Sequence, residues 1–145
     1  MTGWLLDTDV LSAFGPGKRP LPNDIIEWFT ERTDTLYFST VTAAEIEAGI
    51  CRLGRMGAAG RAENLRKWLD QILDAYAERV LSFDLAAARL AGAIGDAAMA
   101  SGRHPGFPDV AIAAIARSRE LAVVTLNRRH FEPLGVAVIN PFDPH

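Results

Sequence analysis

The sequence is 145 residues long, 49% hydrophobic and 23% charged, which suits one domain burying roughly two-thirds of its unfolded surface and excludes wholesale disorder. A formal net charge of -3 excludes recognition of a polyanion through bulk charge, so any nucleic-acid contact needs a local basic patch or a bound cation. Cys51 is the only cysteine, which excludes an internal disulfide and a cysteine-based zinc site and fits a reducing cytoplasm.

The opening run from Met1 to Asp7 has no basic region and its apolar stretch is cut by Asp7, so it does not read as a secretory signal. No run of about 18 apolar residues follows, so no membrane span is expected, and residues 1–145 are read as a single cytoplasmic domain. Trp4–Leu6 reads as a short buried strand ended by Asp7. Gly15, Pro16, Gly17 and Pro20 mark a loop, and Ile25, Ile26 and Phe29 signal a helix before a second strand at Leu36–Ser39. Thr42 to Glu45 has the spacing of a capping box and predicts a helix start there, with Ile46, Ile50 and Leu53 on its apolar face. After a turn at Gly57 to Gly60, residues 61–76 carry the clearest helical period: Leu65, Trp68, Leu69, Ile72, Leu73 and Tyr76 share one face. The stretch 42–76 therefore predicts a helical hairpin or lobe.

Residues 84–101 predict a further helix, rich in Ala and Gly. A loop over 102–107 leads to Pro108 in the first turn of a helix running to about Glu120. Ala122–Thr125 and Val136–Ile139 are short β-branched runs that read as strands. Helices alternating with short apolar strands predict an α/β layer fold with a mainly parallel sheet.

Four residues fall where such a sheet gathers its ligands, at the carboxyl ends of strands and the starts of the following helices. Asp7 ends the first strand, Glu45 lies in the first turn after the second, Asp109 opens a helix, and Asn127 follows the strand at 122–125. Carboxylates brought together repel one another and call for a cation. Oxygen-only donors suit Mg2+ or Mn2+, which leave room for a phosphate and can activate water. Each residue has a plainer reading as well. Glu45 can serve as the capping acid, Asp109 as a helix-terminus acid, Asp7 as a cap for a helix near Thr8, and Asn127 as a turn residue.

The run Leu5 to Ser12, with its Asp7-Thr8-Asp9, resembles the opening of PIN-domain proteins. Ser39 to Ile50 resembles the family's second motif, with Glu45 as its acid. Arg103 to Ala114 resembles the third, with Asp109, and Val123 to Pro141 the last. Four motifs in order span almost the whole chain and are most similar to VapC-type toxins of toxin–antitoxin pairs. The resemblance implies a PIN-like three-layer domain with a central sheet flanked by helices, and a Mg2+- or Mn2+-dependent endoribonuclease. It also implies a homodimer inhibited by a small antitoxin seated in the active-site groove. Asp7 and Asp109 would coordinate the metal directly, and Glu45 would act through water. Many members carry a fourth acid in the last motif, where this sequence has Asn127 and, three residues on, His130. That departure puts a second metal in doubt, and Asp9 is a substitute whose direction the sequence leaves open.

Arg128 and Arg129, beside Asn127, are the candidate substrate-binding cations, whereas Arg61, Arg66 and Lys67 read as solvated helix faces. The sequence shows no interleaving of aromatic and basic residues of the kind that stacks bases. Trp68 reads chiefly as core, with a groove for an antitoxin helix as the alternative. His104 and His130 read as loop residues. Two competing functions stand beside the nuclease: a non-catalytic PIN-fold module that binds RNA or a partner, and a haloacid-dehalogenase-like phosphatase with Asp7 as nucleophile. The second lacks the downstream lysine it requires, since only Lys18 and Lys67 are present.

Overall fold

A computed structural model describes residues 3–143; the first two and last two residues of the chain lie outside it. Five strands form one sheet, β1 (Trp4–Leu6), β2 (Leu36–Ser39), β3 (Val80–Leu81), β4 (Ala122–Val124) and β5 (Val138–Ile139), in the order β3-β2-β1-β4-β5. Every neighbouring pair is parallel. A parallel pair needs a crossover, and the intervening segments supply helices that cover both faces.

Side-chain alternation along the strands divides the core in two. Leu5 and Val123 face α5 (Leu85–Ala100) and α6 (Phe107–Ser118), together with Phe131 and Leu134. Their neighbours Leu6 and Val124 face the opposite way, towards α1 (Thr8–Ser12), α2 (Asn23–Thr30), α3 (Thr40–Arg55) and α4 (Ala59–Ala75). This is the expected three-layer α/β arrangement. On α6, Ala111, Ala113, Ala114 and Ala116 are fully buried beside Ala87, Ala91 and Ala98 of α5. Small side chains at those positions let the two helices and the sheet approach closely, and a larger residue there would overpack the layer.

Several boundaries differ from the sequence reading for identifiable reasons. Helix α3 begins at Thr40 rather than Thr42, because Ser39 at the end of β2 is the N-cap and its hydroxyl accepts from the Thr42 N–H. Thr42 and Glu45 therefore do not form the capping box, and Glu45 is freed for another role. Helix α4 starts at Ala59, with Gly60 inside it; the turn closes at Gly57, whose φ of 88° is left-handed. Helix α6 stops at Ser118, because Glu120 adopts φ 58° and the Leu121 N–H turns back to the Ala116 carbonyl, a left-handed helix ending. Strand β3 has only two residues, too few to show a period. The run at Val136 is paired only over Val138–Ile139. A short helix α7 (Arg128–Phe131) follows β4 where loop was expected. No helix among the described residues is long and apolar enough to cross a membrane.

Candidate functional site

The chain leaves β1 for β2 on one side and returns to add β4 on the other. The crevice at the carboxyl ends of β1 and β4 is thus the topological switch point, where open parallel sheets bind ligands. Asp7 sits in it. Its N–H donates to the Val124 carbonyl at 2.9 Å, which extends the β1–β4 pairing by one residue. Its side chain then caps α1, Oδ1 accepting from the Thr8 N–H at 2.7 Å. The other oxygen, Oδ2, accepts from the Thr125 hydroxyl at 2.9 Å. Thr125 is fully buried and also accepts from the Asn127 N–H at 3.0 Å.

Asp7 is 7% exposed, and its carboxyl is pushed up to about 8, first by burial and then by the facing Asp9 carboxyl, against the pull of Thr125 and Thr8. Burial raises Asp109 too, as do the charges of Glu45 and Asp9, while His130 opposes the shift. Asp9, whose direction the sequence left open, therefore lies within electrostatic reach of both Asp7 and Asp109. One of its oxygens, Oδ2, accepts from the Asn127 side-chain amide at 2.8 Å. The other, Oδ1, is buried without a hydrogen-bond partner. A buried acceptor without a donor is costly.

Glu45 belongs to the same edge through Thr8, whose hydroxyl donates to Glu45 Oε1 at 2.6 Å. Because that single proton is committed, the Thr42 hydroxyl, 2.9 Å from Thr8, is the donor in their contact. Asp109 occupies the first turn of α6, after Pro108. His130 is not a loop residue as expected; it stands on α7 with Nδ1 3.6 Å from Asp109 Oδ2. Asn127 reaches the acids through its amide nitrogen rather than the oxygen expected to face a cation.

Among the described residues, no three His, Cys, Asp or Glu side chains stand close enough together to clasp an ion directly. The acids instead form a looser group of four, Asp7, Asp9, Glu45 and Asp109. Like charges crowded around a buried Asp7 whose pKa is raised are what a shortage of positive charge produces. The donors are all oxygens, which fits Mg2+ or Mn2+ retaining several waters better than a softer ion.

Two open cavities flank this group. One, of about 420 Å3, takes in Thr8 and Glu45 with Lys18, Arg52 and Arg61. The other, of about 480 Å3, takes in Asp109 with Arg103, His104, Arg129 and His130. Arg128, one of the two expected substrate cations, is engaged by Glu132 at 3.2 Å and Asp143 at 3.7 Å. Arg66 is held by Glu47 at 2.7 Å, in keeping with its reading as surface. Sequence reasoning did not find Thr8, Thr125 or Ser39. Thr8 and Thr125 act on partners distant in sequence that no local pattern records, and the cap at Ser39 is decided by where β2 ends.

A sequence model of the PIN domain matches residues 4–135. The chain is 34% identical over 142 residues to the VapC ribonuclease Y4jK of Sinorhizobium fredii, covering 97% of this chain and 98% of that protein. It is likewise 34% identical over 142 residues to toxin FitB of Neisseria gonorrhoeae, covering 95% and 97%. In structure it is similar to the FitAcB crystal structure from Neisseria gonorrhoeae, with a TM-score of 0.82, 33% identity, and coverage of 97% of this chain and 99% of that one.

Proposed function

The chain belongs to the PIN-domain family, and from that premise we propose that it is a Mg2+- or Mn2+-dependent endoribonuclease acting as the toxin of a toxin–antitoxin pair. The observation that carries the reading is the buried Asp7 facing the half-buried Asp9 at the switch point, in a group of acids whose Glu45 and Asp109 each line an open cavity. The names of its relatives, a ribonuclease and a toxin, support the activity and the role.

A divalent cation held there would neutralise the acids, polarise a phosphodiester oxygen and lower the pKa of a water. Asp7 and Asp109 are the residues that would hold it, with Asp9 as an added oxygen donor. Thr125 and the Thr8 N–H fix the Asp7 carboxyl by its two oxygens. Glu45, oriented by the Thr8 hydroxyl, would take a proton from an attacking water. Asn127 fixes Asp9 in place of the acid that many relatives carry. No side chain is required as a covalent nucleophile, and the phosphatase reading gains nothing from the family match. The protein would work in the cytoplasm as a homodimer, with RNA as substrate and an antitoxin protein as its inhibitor.

A non-catalytic RNA- or partner-binding module is the second reading, favoured by the absence of a ready-made three-ligand cage among the described residues. Incubating RNA with Mg2+ or Mn2+ and either wild type or Asp7→Asn separates the two. Cleavage by wild type alone supports the nuclease. Equal cleavage by both removes the metal-site account, and tight binding with no cleavage by either supports the module.

A further inference from the structure

We propose that the cavity on the Glu45 side is a nucleotide subsite, which holds the substrate strand next to the scissile phosphate. The inference rests on the RNA-directed reading above and assigns residues that reading did not. The cavity has a volume of about 420 Å3 and shares Thr8 and Glu45 with the acid group, so it opens directly onto the reaction centre. Clefts of roughly 300–1,000 Å3 are the usual size for a small-molecule or cofactor site.

Its wall is built from three separate segments. The turn through Gly17, with φ 81°, brings Lys18 to the rim. Arg52 comes from α3 and Arg61 from the first turns of α4. All three are exposed, and among the described residues none is in an ion pair. Arg128 and Arg66, by contrast, already have acidic partners. The cavity lining also includes the apolar Leu53, Leu65 and the partly buried Trp68.

Cations and an aromatic ring in one cleft form the combination that binds a single strand, the cations taking phosphates and the ring a base. The sequence shows no interleaving of such residues because Lys18 and Trp68 are fifty positions apart; the fold brings them together. Asn64, also in the wall, offers both donor and acceptor to a base edge. An acidic site that repels RNA on its own gains an anchor for the strand one step away. Charge complementarity thus favours an anionic strand.

The test is binding of fluorescein-labelled single-stranded RNA of mixed sequence, about twelve nucleotides long, measured in chelator over a range of salt. Wild type is compared with Arg52→Ala/Arg61→Ala, with Arg52→Lys/Arg61→Lys and with Arg89→Ala on remote α5. Melting curves confirm that each variant folds. The alanine pair should weaken binding on the order of tenfold and flatten the plot of log affinity against log salt by about 0.7 per arginine removed. The lysine pair should keep the wild-type slope, and Arg89→Ala should bind as wild type does. Unchanged RNA affinity and slope in the alanine pair would overturn the proposal, as would an equal loss in Arg89→Ala. If the alanine pair loses only its hold on a partner protein, the cavity belongs to a polypeptide and the proposal falls. If the alanine pair loses RNA affinity while wild type cuts no RNA with Mg2+ or Mn2+, the subsite stands and the nuclease reading fails.

Discussion

The Thr125 hydroxyl donates to Asp7 Oδ2 across neighbouring strands, joining residues 118 positions apart in a fully buried 2.9 Å hydrogen bond. The bond ties the end of β4 to the end of β1 and holds the carboxyl that would carry the metal. Thr125→Val keeps the shape and removes the donor, leaving a buried acid short of one partner. A loss of roughly 1–3 kcal/mol in unfolding free energy is expected at neutral pH, because a buried acceptor is left without its donor. Metal affinity should fall with it, and Thr125→Ser should recover most of both. Denaturant melts of the three proteins check this.

Asp7→Asn should abolish RNA cleavage and leave the fold intact. The neutral side chain can still accept from the Thr8 N–H, and its amide can donate to Asp9 in place of a repelling carboxylate. In chelator at pH 8 the variant should therefore melt above wild type. Asp109→Asn should also stop cleavage, with a smaller gain in stability, because its side chain is 30% exposed. Thermal melts alongside gel assays of RNA cleavage report both effects.

The pH dependence has a definite sign. The folded-state pKa of Asp7 is raised to about 8, so the native protein holds a proton that the unfolded chain releases near pH 4. That contribution is fully present below the unfolded pKa and is lost as pH rises through about 8. Asp109 is raised as well and acts in the same direction. Metal-free stability should thus fall between about pH 4 and 8, by up to about 1.4 kcal/mol per pH unit for each proton involved. Added Mg2+ binds the ionised acids and should raise the melting temperature more at pH 8 than at pH 5. A flat profile in chelator would contradict the burial of Asp7.

Ser39, and not Thr42, caps α3. Ser39→Ala should cost about 1 kcal/mol, the usual value of a lost N-cap. Glu45→Gln should leave stability within about 0.5 kcal/mol, as an exposed residue with no capping role does, and should impair cleavage. A melting curve for each variant separates capping from chemistry at the two positions.

The layered α/β fold was legible because apolar runs too short for helices alternated with helical periods. The strand ends and helix starts also pointed Asp7, Glu45 and Asp109 to one edge, since in a parallel sheet both features share a side. The capping reading of Glu45 failed because Thr42 and Ser39 both suit a cap, and only the end of β2 decides between them. Thr125 was invisible for a different reason: its partner is fixed by β4 lying beside β1, a fact about strand order that no local window contains. Asp9 lies at the first turn of α1, where an extended chain becomes helical, so alternation could not give its direction. His130 looked like a loop residue because α7 is a single turn with no period of its own.

Asp7 and Asp109, with Asp9 beside them, should share one divalent ion, and a Mn2+ titration followed by electron paramagnetic resonance at pH 8 tests this most directly. Wild type should take up Mn2+ that Mg2+ displaces, and Asp7→Asn and Asp109→Asn should each lose that binding while remaining folded. Undiminished Mn2+ uptake in both variants, or RNA cleavage by wild type that persists in excess chelator, would contradict it.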